Sequence, residues 1–464
     1  MPAVEEKPKP FLVPEYCKGC GRCVSVCVKG CIKFADEINP RTGLIPVVLD
    51  LTNCTGCGLC IEACPEPYGL LAMEAGEDYT LLDPEKLFGA KASTAPEPVD
   101  IPAVRVPLPR TQPLVIKGNY ATAVGALLAG CRHFYGYPLT PSTEGAELMA
   151  KLLPKLGGFY LQAVSEVATV NHMYGGGGAG IVAMTFTSGP GISLMVEGIS
   201  YMVGSELPGV FVNIMRGGPG LGNIAPEQSD VKMACRGLGH GHSHCIALMP
   251  STPQEMLDYA ILAFELTHKY RNPVILLADG YLGQMTGKVQ LPDYMVKPGI
   301  PKWAVYGDRE HRGNLISSID LQELDLEKFN QHLQDKYQSM KVEARAESAM
   351  TADAEVVLVA ANTPARAAKG AMKSLREQGI RVGLFRPITI WPFPVEPFKA
   401  LLPTVRHVVV VEANAGGQIE DELRLNMSQA GVEKLPPITH VRRFGGMLPA
   451  QSEIVAHVKS ILGK

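Results

Sequence analysis

The chain has 464 residues, of which 46% are hydrophobic and 19% charged, and its formal net charge is −3. This length exceeds what one compact core holds, so it predicts two to four domains, and the small negative charge excludes a basic surface for nucleic acid or anionic membranes. No apolar run approaches the roughly 18 residues of a membrane-spanning helix, and the first residues lack the pattern of a secretion signal, so we expect a cytoplasmic protein without membrane partners.

The first 80 residues form a cysteine-rich unit. Nine of the 12 cysteines lie between Cys17 and Cys64, and this unit has little apolar periodicity. Because domains of this size seldom hold together by a hydrophobic core alone, metal clusters could supply the missing stability. Residues 81–112 then carry six prolines and few bulky side chains. That composition predicts a stiff, extended linker.

The central region, 113–290, alternates between apolar runs and amphipathic segments, which favours βαβ units and a largely parallel sheet. Its strand candidates are residues 133–137, 181–186, 210–215 and 273–278, and its helix candidates are 120–130 and 192–203.

Residues 291–350 differ, because apolar side chains recur there at spacings of three and four. They are Leu326, Phe329, Leu333, Tyr337 and Met340. This spacing predicts a connecting amphipathic helix.

A second α/β region spans 351–464. Its strand candidates are 356–360, 382–385 and 408–412. Thr363 and Pro364 predict the N-cap and first turn of a helix that reaches Gln378 and ends at Gly379.

The cysteines fall into two runs with the same spacing, Cys17-x2-Cys20-x2-Cys23-x3-Cys27 and Cys54-x2-Cys57-x2-Cys60-x3-Cys64. This is the spacing of two-cluster ferredoxins, in which the fourth cysteine of each run ligates the other cluster. The predicted ligand sets for two [4Fe–4S] clusters are Cys17, Cys20, Cys23 and Cys64, and Cys54, Cys57, Cys60 and Cys27.

Several details accompany the two runs. Glycines lie between the ligands at 19, 21, 56 and 58, where close backbone approach to a cluster favours residues without a Cβ. Cys31 is left over and is interpreted as an inert buried thiol. The alternative is a pair of zinc sites, which need only four ligands each and rarely use this close triple spacing.

Three loops follow predicted strands, at residues 137–142, 187–191 and 216–220, and each is rich in glycine or proline. In open parallel sheets ligands bind beyond the carboxyl ends of the strands, although ordinary tight turns have the same composition. The run Gly175–Gly178 could cradle a phosphate, but close helix packing is its more common use.

At these loops the sequence resembles the 2-oxoacid:ferredoxin oxidoreductases. The matching stretches are Tyr-Pro-Leu-Thr-Pro-Ser at 137–142, Ser165-Glu166-Val-Ala, Thr187-Ser-Gly-Pro-Gly and Arg216-Gly-Gly-Pro-Gly-Leu-Gly. The resemblance runs from about residue 115 to the C-terminus, and the ferredoxin module also occurs fused in this family.

The resemblance implies an α/β fold in three parts. A small α+β 2[4Fe–4S] ferredoxin domain at 1–80 precedes a parallel-sheet domain at 113–290 that binds the pyrimidine side of thiamine diphosphate. After the connector, 351–464 would form a domain like the C-terminal domain of transketolases, with Phe385-Arg-Pro-Ile-Thr-Ile-Trp-Pro-Phe-Pro as its most recognisable stretch.

It also implies roles for single residues. Glu166 matches the glutamate that bonds the pyrimidine N1′ of the cofactor, a position suited to holding a proton there. Arg216 and Thr140 match positions that contact the carboxylate and carbonyl of the substrate, and Tyr137 would line the same pocket. An arginine suits a carboxylate because its planar fork donates two parallel hydrogen bonds.

The chain lacks the Gly-Asp-Gly motif and downstream asparagine with which thiamine enzymes hold pyrophosphate and Mg²⁺. The nearest approach is Ala278-Asp279-Gly280. We therefore expect half of a cofactor site, completed by a β-type subunit, with a γ-type subunit as a further partner and an external ferredoxin as electron acceptor. An obligate hetero-oligomer follows.

The implied reaction is CoA-dependent oxidative decarboxylation of a 2-oxoacid, with ferredoxin as the oxidant; reverse carboxylation is chemically allowed. The stretches at 216–222, 269–274 and 278–285 look most like the branched-chain (3-methyl-2-oxobutanoate) members, with the 2-oxoglutarate members next. Alternatives are an electron-transfer subunit with a degenerate thiamine fold and a Rossmann dehydrogenase, for which the Gly-x-Gly-x-x-Gly context is missing. His240, His242 and His244 could form a metal site, but a polar loop is the simpler interpretation.

Overall fold

The computed structural model describes residues 7, 9–39, 42–66, 69–73, 98–311 and 313–464. The chain divides into two compact units, a smaller one from residues 1–95 with 321–323 and a larger one from 96–320 with 324–464. Residues 81–97 of the predicted linker lie outside the described residues. Within the described ranges, no helix is both long enough and apolar enough to cross a membrane.

The smaller unit has the α+β composition that the sequence predicts. Its elements are β1 (Lys9–Leu12), α1 (Arg22–Val26), β2 (Ile32–Phe34), β3 (Val47–Leu49), α2 (Leu59–Ala63) and β4 (Leu70–Met73). Two antiparallel pairs form, β1 with β4 and β2 with β3. Each helix begins directly after a glycine in the left-handed conformation, Gly21 and Gly58.

The larger unit begins with ten strands that belong to one seven-stranded sheet or to two separate two-stranded sheets. They are β5 (Val104–Pro107), β6 (Leu114–Lys117), β7 (His133–Gly136), β8 (Phe159–Gln162), β9 (Ala183–Thr187), β10 (Gly209–Met215), β11 (Ile246–Leu248), β12 (Pro273–Asp279), β13 (Thr286–Val289) and β14 (Tyr294–Lys297). The described part of the predicted linker contains β5, which pairs with β14 of the larger unit. The following strand, β6, pairs with β13.

Helices connect these strands in the predicted alternation. They are α3 (Gly118–Leu128), α4 (Thr143–Leu152), α5 (Glu166–Gly178), α6 (Gly189–Gly204), α7 (Val231–Arg236), α8 (Pro253–Tyr270) and α9 (Gly280–Gln284). The connecting amphipathic helix follows as α10 (Glu323–Met340) and buries Leu333, Tyr337 and Met340, three of the five apolar side chains that predict it.

The C-terminal elements complete the larger unit. They are β15 (Ala346–Ala349), β16 (Val356–Ala360), α11 (Asn362–Glu377), β17 (Val382–Pro387), β18 (Thr389–Trp391), α12 (Val395–Lys399), β19 (His407–Glu412), α13 (Gln418–Gln429), β20 (Ile438–Arg442) and α14 (Gln451–Ile461). Five of the strands form a sheet in the order β15-β17-β16-β19-β20, in which only β15 is antiparallel.

The central sheet has seven strands in the order β18-β11-β12-β10-β9-β7-β8. Its pairings are parallel except for that of β18, which comes from the C-terminal region and joins the edge antiparallel to β11. Every residue of β10 and β12 is buried, as expected for strands covered on both faces. The carboxyl ends of β7, β9, β10, β11 and β12 therefore meet at one edge of the sheet.

Two local predictions are decided by packing. The N-cap prediction for Thr363 is wrong, because α11 begins at Asn362 with Ala361 as its N-cap, and Thr363 instead binds Asp279 across the two sheets. The glycine run 175–178 lies inside α5 and serves helix packing. Gly177 lies so close to the Pro208 carbonyl oxygen that an added Cβ would be 2.7 Å from it.

Candidate active site and cluster-binding unit

The smaller unit gathers its cysteines around two cavities. One is lined by Cys17, Cys20, Cys23 and Cys64. The other is lined by Cys27, Cys54, Cys57 and Cys60, with Cys31 alongside. This crossed grouping is what the ferredoxin spacing predicts, and four thiol groups around each cavity fit a [4Fe–4S] cube. The ligand roles themselves stay a prediction.

Backbone geometry explains the glycines between the cysteines. Gly19, Gly21, Gly56 and Gly58 all have positive φ angles, between 61° and 78°. At Gly19 a Cβ would also collide with the Ile45 carbonyl oxygen. Two backbone amides point at candidate ligand sulfurs, from Val47 to Cys17 Sγ at 3.4 Å and from Cys31 to Cys27 Sγ at 3.3 Å.

Across the described ranges, no three His, Cys, Asp or Glu side chains converge closely enough to hold a single metal ion. Among the described residues, His240, His242 and His244 form no metal site. His240 and His242 are exposed, and His244 stacks on Trp391 with ring centroids 4.8 Å apart.

Glu166 is the first residue of α5, at the carboxyl edge of the central sheet. Ser165 caps this helix, because its Oγ accepts a hydrogen bond from the Ala168 amide at 3.2 Å. The Glu166 side chain is only 6% exposed, yet its carboxylate has no hydrogen-bond partner among the described residues. A carboxylate that no described residue hydrogen-bonds is available to a ligand, so Glu166 fits a hydrogen-bonding cofactor.

The loop at 187–191 leads into α6 and packs directly against Glu166. An ideal Cβ on Gly191 would lie 2.7 Å from Glu166 Oε1 and would also collide with Thr187 Oγ1. Only glycine therefore leaves room for the carboxylate. Ser188 belongs to the same loop, and its buried Oγ has no partner in the described structure.

Arg216 follows β10 and is 5% exposed. Its Nη1 donates to the Thr140 carbonyl oxygen at 2.8 Å, its Nη2 donates to the Leu221 carbonyl oxygen at 3.1 Å, and its buried Nε has no partner. Two predicted site residues, Arg216 and Thr140, are thus brought together. Five N–H groups are available on a guanidinium, so Arg216 retains donors for a ligand after these two bonds.

Sequence reasoning missed three polar residues near this loop. Asn213 Nδ2 donates to Asp230 Oδ2 at 2.9 Å, and the Ser229 hydroxyl lies 3.3 Å from Asp230 Oδ1 and 2.8 Å from the Arg216 carbonyl oxygen. Burial raises the pKa of Asp230, whereas Asn213, Ser229 and the charge of Arg216 act in the opposite direction. The one available signal was an asparagine inside the otherwise apolar run Gly209–Met215.

Asp279 is the aspartate of the Ala-Asp-Gly stretch and faces inward. Its carboxylate accepts from the Thr363 amide at 2.8 Å, the Thr363 hydroxyl at 2.8 Å and the Leu282 amide at 3.0 Å. It is completely buried, and burial raises its pKa. The Asp279 carboxylate is engaged by hydrogen bonds within this chain, including those that link the central sheet to the C-terminal region. Asp279 therefore does not fit a ligand for Mg²⁺ or pyrophosphate.

Tyr137 and Thr140 lie on the loop after β7, and both are exposed at the same sheet edge as Glu166 and Arg216. The structure therefore places all four predicted central-domain residues after the carboxyl ends of β7, β8 and β10. Their roles at a thiamine diphosphate site stay a prediction.

Three families match the chain by sequence. The pyruvate flavodoxin/ferredoxin oxidoreductase thiamine diphosphate-binding domain matches residues 124–361, more than half of the chain. The chain belongs to the 2-oxoacid:ferredoxin oxidoreductase family. Core domain II of pyruvate:ferredoxin oxidoreductase matches 354–454, and a 4Fe-4S dicluster domain matches 16–67. The last match confirms iron–sulfur clusters over the zinc alternative.

The chain is 43% identical over 353 residues to ketoisovalerate oxidoreductase subunit VorB of Methanothermobacter marburgensis, covering 75% of this chain and 98% of that protein. It is 37% identical over 367 residues to 2-oxoglutarate synthase subunit KorA of Methanocaldococcus jannaschii, covering 73% of this chain and 97% of that protein. These relatives are named as subunits of multi-subunit enzymes.

A solved structure is also similar, the 2-oxoglutarate:ferredoxin oxidoreductase of Magnetococcus marinus with 2-oxoglutarate, coenzyme A and succinyl-CoA bound. It superposes with a TM-score of 0.68 at 27% identity, over 75% of this chain and 65% of that chain. The chain thus spans slightly less than two thirds of that protein. The predicted family, α/β fold class and oxidoreductase class are confirmed, whereas the residue roles and the predicted domain boundaries stay predictions.

Proposed function

We propose that this subunit takes part in oxidising branched-chain 2-oxoacids, with 3-methyl-2-oxobutanoate as the representative substrate. One 2-oxoacid anion, one coenzyme A and two oxidised ferredoxins would give an acyl-CoA, CO₂, two reduced ferredoxins and one proton. The observation that carries the proposal is the meeting of the unpartnered Glu166 carboxylate and the Arg216–Thr140 pair at one sheet edge. The 43% identity to a ketoisovalerate oxidoreductase subunit supports the choice of acid.

Bound thiamine diphosphate supplies the carbon nucleophile that makes decarboxylation of a 2-oxoacid feasible. Glu166 would hold a proton at the pyrimidine N1′, and its burial favours a strong bond to that nitrogen. Gly191 keeps the carboxylate in place by leaving it room. Arg216 would bind the substrate carboxylate with its remaining N–H groups, and Thr140 and Tyr137 would line the pocket.

The choice of a branched-chain acid over 2-oxoglutarate rests on charge. A second carboxylate on the substrate would require a second free cation near Arg216. Two arginines of the C-terminal region, just before Gly445, are already paired, Arg442 with Glu420 at 2.5 Å and Arg443 with Glu453. An apolar side chain suits such a pocket better than a second anion does.

In the smaller unit, the eight cysteines of the two runs would hold the clusters that pass single electrons to an external ferredoxin. Two [4Fe–4S] clusters of this kind reach the low potentials that such a donor needs. The crossed grouping of Cys64 and Cys27 supports these ligand sets.

The partner would be a β-type subunit that carries the pyrophosphate and Mg²⁺ half of the site, with a γ-type subunit also expected. The engagement of Asp279 inside this chain supports that division. Apolar side chains around the site are also exposed, namely Leu221, Ile224, Tyr281, Phe444 and Met447. Exposed apolar groups around an incomplete site suit a protein interface.

CoA-dependent viologen reduction by the anaerobically purified complex, measured over a panel of 2-oxoacids, tests the proposal. We expect kcat/KM to peak on branched-chain acids. A peak on 2-oxoglutarate would keep the reaction and overturn the pocket assignment. Inactivity with every acid, in a complex with bound thiamine diphosphate and about eight irons per copy of this chain, would favour the electron-transfer alternative.

Replacing Glu166 separates a catalytic from a scaffolding role. Glu166→Gln should lower kcat by a factor of about 10²–10⁴, the usual range for removing an acid–base group, while the cluster absorbance stays unchanged. Glu197→Gln, on the exposed face of α6, is the matched control. Equal turnover in the two variants would refute the role of Glu166.

A further inference from the structure

The Arg216 loop, residues 216–226, and the adjoining Glu227 both hydrogen-bond to one glycine of the C-terminal region. Gly445 lies in the turn between β20 and α14. Its amide donates to Glu227 Oε2 at 3.2 Å, and its carbonyl oxygen accepts from Asn223 Nδ2 at 3.1 Å. Both polar groups of the Gly445 backbone are therefore bound to the segment that carries Arg216.

Asn223 also closes the loop on itself. Its backbone N–H donates to the Gly217 carbonyl oxygen at 3.0 Å, and its side-chain Oδ1 accepts from the Ala225 backbone N–H at 3.0 Å. The Gly217 amide in turn donates to the Ala225 carbonyl oxygen at 3.0 Å. One side chain thus shapes the loop with its oxygen and attaches it to the C-terminal turn with its nitrogen.

The fit of the turn is steric as well as polar. Gly445 and Gly446 have φ angles of 65° and 93°, in the region that favours glycine. A Cβ on Gly446 would collide with the Cβ of Ala225. Residues on either side of the turn are fixed by Glu453, which pairs with Arg443 and accepts from the Ala450 amide at 2.8 Å.

The position of the guanidinium depends on the shape of this loop. Arg216 Nη2 donates to the carbonyl oxygen of Leu221, two residues before Asn223. If the loop were released from the turn, the Leu221 carbonyl would move with it. The Arg216 guanidinium would then adopt a wider range of orientations. Misplacing a binding group by a fraction of a bond length weakens the interactions that it makes.

We propose that the Gly445–Gly446 turn, through Asn223 and Glu227, is a positioning element that holds Arg216 ready for the substrate carboxylate. The C-terminal region would thus contribute to substrate binding without touching the substrate. This inference rests on the proposed role of Arg216 and adds Asn223 and Glu227 as positioning residues.

Asn223→Asp is the sharpest test, since the oxygen that closes the loop remains while the donor to Gly445 is replaced by an oxygen that repels its carbonyl. In the complete complex, we expect the KM for the 2-oxoacid to rise about tenfold, the size of one lost hydrogen bond with a repulsive replacement. The kcat should change less than about threefold and the KM for coenzyme A should not change. Gly446→Ala should act in the same direction.

Asn314→Asp is the matched control. Asn314 Nδ2 bridges the carbonyl oxygens of Lys302 and Ala304 at 2.7 and 2.8 Å, away from the site, so its replacement should leave every KM unchanged. Hydrogen–deuterium exchange of peptides covering 216–226 gives a second measurement. Exchange there should be faster in Asn223→Asp than in the native complex and in the control.

A 2-oxoacid KM within twofold of the native value in a folded Asn223→Asp complex would overturn the inference, whether or not kcat falls. Unchanged exchange of residues 216–226 would also overturn it. If the native complex oxidised no 2-oxoacid, the proposed function would fail, while the exchange measurement would still decide whether the turn holds the loop.

Discussion

The two units of this chain assemble their functional groups in different ways. In the smaller unit, all eight candidate ligands come from two short segments, 17–27 and 54–64. In the larger unit, the candidate site joins the ends of strands that are 25 to 80 residues apart in sequence. A local site can be read from spacing, whereas a site at a sheet edge needs the topology of the sheet.

The units also differ in what stabilises them. The buried cluster of the smaller unit consists of Cys23, Cys31, Ile32, Val47, Cys60 and Leu70. Half of these are cysteines, and fully burying an aliphatic side chain contributes only about 1.5–3 kcal/mol. The larger unit instead buries whole strands such as β10 and β12. The smaller unit should therefore depend on its clusters, while the larger one folds on its apolar core.

Removal of iron provides the strongest test of this difference. Chelation of iron from the reduced complex should unfold the smaller unit, because metal binding supplies its folding free energy. Hydrogen–deuterium exchange should then accelerate throughout residues 9–73 and stay unchanged in residues 98–464. Protection of 9–73 that survives the loss of iron would show that the apolar contacts suffice.

Phe385→Ala tests the other side of the comparison. Phe385 is completely buried in β17 and packs against Phe398 with ring centroids 5.1 Å apart. Its truncation should lower the free energy of unfolding of the larger unit by about 3–5 kcal/mol, with cluster absorbance unchanged. Val342→Ala, at an exposed aliphatic side chain outside the proposed interface, serves as the control in urea unfolding and should shift stability by less than about 0.5 kcal/mol.

Gly191→Ala tests whether packing positions the Glu166 carboxylate. The added methyl group would displace that carboxylate, so turnover should fall about 100-fold, the effect of misplacing a catalytic group by about 1 Å. Gly175→Ala is the control, because a Cβ there meets no atom within 4 Å and alanine favours the helix. Native turnover in Gly191→Ala would show that Glu166 tolerates displacement.

Asp279→Asn should have the smallest effect. The side-chain NH₂ of the new asparagine would face an N–H group of Thr363 or Leu282 that now donates to the carboxylate. The free energy of unfolding should therefore fall by about 1–3 kcal/mol. The Mg²⁺ and thiamine diphosphate content of the complex should stay native, since we assign no cofactor ligand to Asp279. Exposed Asp325→Asn is the reference. Loss of Mg²⁺ in Asp279→Asn alone would restore this aspartate to the cofactor site.

Much of the fold follows from the sequence pattern. The apolar runs at 210–215, 273–278 and 356–360 are strands within one residue of the predicted bounds, because strands buried on both faces must be continuously apolar. The Thr363 cap failed for the opposite reason. Its hydroxyl binds Asp279, a partner 84 residues away, and no local rule weighs a local cap against such a distant bond.

The candidate site likewise has features that follow from local sequence and features that depend on distant contacts. By itself, the sequence determined the cluster motif and the family, because these depend on residue types at fixed short spacings, and the resemblance singled out Glu166, Arg216 and Thr140 as candidates. Only the tertiary structure decided that Arg216 binds the Thr140 carbonyl, that Asp279 faces inward, and that Asn223 reaches the Gly445 turn. Each of these contacts joins segments more than 70 residues apart, and their distances are set by how the sheets pack.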